Sequence, residues 1–261
     1  MSIRCLGGLM ADCPEVLRHR SASIRYHVCP CLPWLKAVYA MNNLVALDTS
    51  TEYLSLTVAA GSVLRSHHAH VGQQHAEATL PTLHRLLAEQ GLSAQALEAI
   101  AFGNGPGAFT GLRIGCGLAQ GLALALGIPV IPVSTLAVLA ASVPASRVLA
   151  CLDARMGQVY YAGYVDGEEV LAPGLYTPDD VPLPSGEGWW LVGSGAAAHP
   201  QALQTRLGGC LVGVDGQATP HAEALIALAR SGRWPACAPE AAELCYVRDK
   251  VALKTHERLK A

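Results

Sequence analysis

Residues 103–127, GNGPGAFTGLRIGCGLAQGLALALG, hold eight of the chain's 26 glycines and run straight into an apolar helical pattern. Glycine-rich loops that open helices often bind phosphate, because backbone N–H groups and the helix N-terminus both face the anion. Two such motifs are testable here. A P-loop needs a Lys after its last Gly to reach the phosphates, and no Lys lies between Lys36 and Lys250. A dinucleotide fingerprint needs an acid about 20 residues later for the ribose. GNGPGA at 103–108 matches its loop, but no Asp or Glu lies between Glu98 and Asp153. Across 99–152 only Arg113 and Arg147 are charged, so the stretch supplies no general base and no magnesium ligand. Its glycines are therefore read as backbone geometry: a tight strand-to-helix turn with Thr110 as N-cap.

The helix that follows carries Gly111, Gly115, Gly117 and Gly121, with Ala119 and Ala123 between them. Each Gly costs a helix about 1 kcal/mol against Ala, so a compensating gain is expected. Gly117 and Gly121 fall on one face and let another backbone approach. Either the protein's own sheet or a second chain can supply that backbone.

Around this stretch the pattern is mixed α/β. Asn43–Asp48 reads as a buried strand ending in an acid, and Tyr53–Ala59 alternates like a half-buried strand. Residues 75–90 read as a helix with Leu80, Leu83 and Leu87 on one stripe, awkward at Pro81 and closed by Gly91. Leu97–Phe102 and Ile128–Val133 read as strands, and Ser134 as the cap of a helix over Thr135–Ser142. Arg147–Asp153 is again a buried strand ending in Asp, followed by an alternating strand, Gln158–Val165, and a hairpin turn at Asp166-Gly167. The two halves thus begin alike, which suggests a duplicated unit. Trp189–Val192 leads through Gly193-Ser194-Gly195 into a helix over Ala196–Arg206, and His221–Ser231 is a last helix.

Composition narrows the function classes. The 261 residues are 51% hydrophobic and 15% charged, enough to bury a core. Net charge is −2 and aromatics are 5%, which argues against an autonomous polyanion-binding surface or a base-stacking platform. Nine cysteines occur without a CxxC pair and read as reduced thiols of a cytoplasmic protein. Residues 1–40 lack periodicity and read as an extension, disordered or not natively translated, with Met41 as the natural start. Residues 41–145 then form an N-terminal lobe and 146–261 a smaller C-terminal one. The nearest approach to a membrane span, 114–133, is interrupted by four glycines and by Pro129 and Pro132, and reads as core.

VALDTS at 45–50, GNGPGAFTGLRIG at 103–115, PVSTL at 132–136 and LDARMGQVYYAGY at 152–164 together resemble the TsaB (YeaZ) family. That family is a subunit of the bacterial machinery making threonylcarbamoyladenosine in tRNA. The resemblance covers Met41 to Arg248, where CYVR at 245–248 resembles the family's closing segment. It implies an actin/Hsp70/sugar-kinase-like α/β fold: two RNase-H-like lobes, each a mixed sheet flanked by helices. It also implies a non-catalytic scaffold that pairs with the catalytic paralogue TsaD, joined by the ATPase TsaE, and dimerises with itself when alone. ATP or ADP would bind at the level of the complex, and tRNA only through it. The helices implied in pairing are 75–90 and 111–127, with His75, Leu80, Leu83, Leu87, Arg113, Gly117, Leu118 and Gly121 as interface residues. Asp48, Thr49 and Ser50 sit where this fold class places its first phosphate loop, and Gly193, Ser194 and Gly195 resemble its adenosine loop. These six are the candidate nucleotide residues; an Asx-type turn is the alternative role of Asp48.

The catalytic paralogue holds its metal with an HxxxH pair. The ten histidines here include no two that differ by four positions, so neither HxxxH nor HExxH exists. His67, His68, His70 and His75 are read as a solvated or interface cluster. The alternative, a stand-alone ATP-dependent enzyme or metallopeptidase of the same fold, is weakened by these missing ligands.

Overall fold

The structure, a computed structural model, describes residues 41–247. The readings of residues 1–40, of Arg248 and of the chain beyond it lie outside the described residues. Two five-stranded sheets dominate, and their topologies are the same. In the first, β1 (Asn43–Asp48) pairs antiparallel with β2 (Tyr53–Ala60), which pairs with β3 (Val63–His70). On its other side β1 runs parallel to β4 (Ala99–Gly103), and β4 to β5 (Val130–Val133). In the second, β6 (Arg147–Asp153) pairs antiparallel with β7 (Val159–Val165), which pairs with β8 (Glu168–Tyr176). β6 also runs parallel to β9 (Trp189–Val192), and β9 to β10 (Leu211–Asp215). The orders β3-β2-β1-β4-β5 and β8-β7-β6-β9-β10 superpose element for element. The repeat sensed in "strand ending in Asp, turn, alternating strand" is thus a repeat of the whole sheet.

The central strands β1, β4 and β6 are apolar almost throughout because both faces are covered. On the outer face of the first sheet lie α1 (His75–Glu89) and α2 (Phe109–Leu126). Leu83, Leu86, Leu87, Ala119 and Ala123 fill that layer with Val45, Leu47, Leu56 and Phe102. Helix α1 runs on through Pro81, and Gly91 and Gly127 follow the two helices in the left-handed conformation that ends them.

Between the sheets lie α3 (Thr135–Ala141) and α6 (Ala222–Arg230). Each crosses to the opposite half: α3 packs on β6 and β7, α6 on β1 and β2, and the two helices touch. Leu136, Leu139, Leu225 and Ile226 join Leu44, Ala101, Val148 and Val192 in that shared layer. A boundary near residue 145 therefore separates the sheets but not the helices laid on them. A third core, with Trp189 and Tyr161, sits under α4 (Ser194–Ala198) and α5 (Pro200–Leu207).

Three local readings are corrected. The helix expected over Ala196–Arg206 is two helices, because Pro200 lacks an N–H and drives His199 out of helical conformation, φ −132° and ψ 51°. Helix α2 starts at Phe109 with Ala108 as N-cap, two residues before the expected Thr110. Its start is fixed by a main-chain bond, Ala108 N–H to the Ser50 carbonyl at 2.7 Å, and no side-chain cap is present. β10 has no counterpart in the sequence reading.

Candidate partner interface and a closed phosphate loop

The four helix glycines do two different jobs. Gly111 and Gly115 face inward. A Cβ on Gly111 would overlap the Thr49 carbonyl oxygen, and one on Gly115 would overlap the Thr49 hydroxyl. A Cβ on Gly107 would come within 2.6 Å of the Ser50 carbonyl oxygen. The absent side chains let loop and helix lie directly on residues 49–50, where Thr49 Oγ1 donates to the Gly111 carbonyl at 2.8 Å. Gly117 and Gly121 face outward, and a Cβ on either would meet nothing within 4 Å.

The outward face of α2 is apolar. Leu124 is 71% exposed, and Leu80 of the neighbouring α1 is 46% exposed. Leu118 is half-buried and Ala125 is exposed. Arg113, its only charge, lies over the Phe109 ring at 3.5 Å and donates from Nε to the Tyr246 hydroxyl at 3.1 Å. Tyr246 ends a strap that runs back along α2. The strap pairs Cys237 with Val130, takes both a Pro239 and an Ala242 carbonyl bond from Gln120 Nε2 (2.9 and 3.2 Å), and bonds Cys245 N–H to the Asn104 carbonyl at 2.8 Å.

Of the eight residues assigned to pairing, the structure leaves Leu80 accessible on α1 and Arg113, Gly117, Leu118 and Gly121 accessible on α2. It withholds three. Leu83 and Leu87 are buried because the leucine stripe of α1 is the stripe that packs on the sheet. His75 is buried too; its Nε2–H donates to the Tyr53 carbonyl at 3.2 Å and ties the start of α1 to β2. Leu124 was missed, although its position three residues after Gly121 places it on the same helical face.

Of the six candidate nucleotide residues, five are buried and Ser194 is exposed. Asp48, Thr49 and Ser50 are all buried beneath residues 103–111. Asp48 Oδ1 accepts from the Ser50 N–H at 3.0 Å and the Ser50 hydroxyl at 2.6 Å, the Asx turn foreseen as its alternative role. Its Oδ2 lies against Gly103 with no hydrogen-bond partner. Burial raises the Asp48 carboxyl above its ordinary value, against the lowering effect of Ser50 and His75. Gly193 and Gly195 are packed on the end of β6 at Cys151, while Ser194 is exposed and accepts the Asp153 N–H at 3.1 Å. Asp153 and Arg155 form an ion pair at 3.2 Å. Among the described residues no cluster of three or more His, Cys, Asp or Glu side chains is placed to hold a metal. His67, His68 and His70 lie along β3, away from the buried His75.

Two equivalent RNase-H-like sheets with their closing helices exchanged define an actin/Hsp70/sugar-kinase-like protein, here with residues 103–111 packed directly on the turn after the first strand. Residues 64–181 match the family model described as TsaD, tRNA N6-adenosine threonylcarbamoyltransferase. The tRNA threonylcarbamoyladenosine biosynthesis protein TsaB of Escherichia coli is 39% identical over 228 residues, 81% of this chain and 96% of that protein. Its Haemophilus influenzae namesake is 35% identical over 187 residues, 64% of this chain and 78% of that one. The crystal structure of YeaZ from Pseudomonas aeruginosa is 39% identical, with a TM-score of 0.71 over 79% of this chain and 100% of that one. The chain belongs to the TsaB (YeaZ) family.

Proposed function

We propose that this chain is a non-catalytic subunit of the cytoplasmic machinery for threonylcarbamoyladenosine in tRNA. It docks the TsaD-type catalytic paralogue on the outer face of α1 and α2, with a TsaE-type ATPase joining the pair. Without that partner it pairs with a second copy through the same face. The observation that carries the reading is the outward half of α2. Gly117 and Gly121 lower helix stability and meet no neighbour among the described residues, while Leu124 stands exposed on the same helix and Leu80 on α1. A covering chain recovers both costs, because its backbone can approach where side chains are missing. Helix α2 is also the one helix among the described residues long and apolar enough to cross a membrane. Its inward glycines seat it on β1, which suits a docking helix. The absence of an HxxxH pair and the closed loop at Asp48 support leaving metal and nucleotide chemistry to the partners. ATP or ADP then binds at the level of the complex, and tRNA is reached through it.

The test is co-expression with the TsaD-type paralogue. Gly117→Leu and Gly121→Leu should each abolish co-purification while circular dichroism of the variant stays unchanged. Undiminished co-purification would remove α2 from the interface. Threonylcarbamoyl transfer by the lone chain, lost in Asp48→Ala, would overturn the non-catalytic assignment.

A further inference from the structure

The run His67-His68-Ala69-His70 builds a ladder of rings on edge strand β3. His70 meets the Tyr53 ring edge-on at 5.3 Å, Tyr53 stacks on His68 at 5.0 Å, and His68 stacks on His221 at 3.9 Å with 16° between planes. His221 belongs to the connection from β10 to α6, which carries the chain from the second sheet back to the first. Three further bonds tie that connection down. Thr219 Oγ1 lies 3.0 Å from His68 Nε2, the His221 N–H donates to Ser142 Oγ at 2.9 Å, and the Ala222 N–H donates to Ser55 Oγ at 2.8 Å. Of these attachments, the His68–His221 stack is the one whose members can change charge near neutral pH.

The surroundings of His68 oppose a positive charge. His67 on its own strand lies 3.4 Å from Arg85 of α1. From β2 comes Tyr53, and from the connection come Thr219 and His221. The carboxylate Glu52 is at the far end of the ladder, 3.3 Å from His70. Glu223, in the first turn of α6, points to solvent. His68 Nδ1 is buried with no hydrogen-bond partner. Burial, with His221 and His67 adding to it, pushes the His68 imidazole down to about 4 from 6.5.

We propose that the His68–His221 stack is a pH-sensitive latch, which holds the β10–α6 crossover on edge strand β3 and releases it on acidification. A proton on His68 places a cation face to face with a second imidazole and has no carboxylate to meet. The latched state therefore excludes that proton. The latch is closed above pH 6.5 and weakens as pH falls from there toward 4. Released, residues 219–230 lose their hold on the first sheet, and with them α6, which shapes the layer between the sheets.

Two measurements on the full chain test this. In a ring-proton titration His68 should titrate below about pH 5, well under an ordinary histidine. Hydrogen-exchange protection factors across 219–230 should fall about tenfold or more between about pH 7.5 and pH 5. His68→Phe keeps a stacking ring without a titratable proton and should flatten that dependence. A wild-type His68 that titrates near 6.5, or equal loss of protection in His68→Phe, overturns the latch. The wild-type titration decides the matter even where the variant folds poorly.

Discussion

Replacing helix glycines by Ala should have opposite effects on the two sides of α2. At Gly117 and Gly121 a methyl group enters open space on regular helix, so nothing opposes the helix-propensity gain. That gain is about 0.5–1 kcal/mol per site, or about 1–2 kcal/mol for the double variant. In a chain of this size each kcal/mol raises the melting temperature by roughly 2–4 °C. At Gly111 the same methyl would overlap the Thr49 carbonyl oxygen and sit 3.2 Å from its carbon, both backbone atoms that cannot rotate away. Helix and loop must part, at a cost of about 1–3 kcal/mol that outweighs the propensity gain. The Thr49–Gly111 bond is strained with them. Thermal and urea unfolding of the isolated chain, followed by circular dichroism at several protein concentrations, reads both signs. Concentration dependence separates folding from self-association, since Ala at 117 or 121 also weakens any dimer through that face. A concentration-independent loss of stability in Gly117→Ala and Gly121→Ala, or a gain in Gly111→Ala, would refute the division of the helix into an inner and an outer glycine pair.

Asp48→Asn should raise stability at neutral pH. The folded carboxyl has a raised pKa, so its stabilising state is the protonated one, fully present below 3.8 and lost as pH rises through the folded value. Urea midpoints for wild type and variant should differ above neutrality and converge in acid. Gln120→Ala should cost about 1–2 kcal/mol, because one amide satisfies two part-buried strap carbonyls. Limited proteolysis should then cut first within 237–247.

The strands were largely legible because buried central strands carry continuous apolar runs and the turn after each first strand carries Asp. The leucine stripe of α1 was legible as a face but not as an inner or outer one. Periodicity says that Leu80, Leu83 and Leu87 lie together, and only the sheet beneath shows that Leu83 and Leu87 are consumed by it. Thr110 looked like a cap because hydroxyls cap helices; the Ser50 carbonyl, 60 residues away in the fold's other loop, holds that end instead. Pro200 did announce its helix break, but helix-compatible residues on both sides of it let the segment read as one helix. β10 hid for a different reason: it is an edge strand with two exposed valines and a central Gly, so it lacks the burial and the unbroken run that mark a strand.

The glycine loop and the buried turn at Asp48–Ser50 are one feature seen from two sides. In a phosphate-binding loop, glycines bring N–H groups close to an anion. Here Gly107 and Gly111 bring the loop equally close, but to the carbonyls of Ser50 and Thr49. The donors that would face a ligand are used up: the Ala108 N–H is spent on Ser50, and the Ser50 N–H on Asp48. Backbone thus packs on backbone, and the same contact fixes the start of α2. Because α2 is anchored at that end by main chain and not by its own cap, its outer face is held in a defined position without any ordering contribution from the partner. A preformed face of this kind loses little conformational freedom on docking, which is the physical advantage it would bring to the docking role proposed for it.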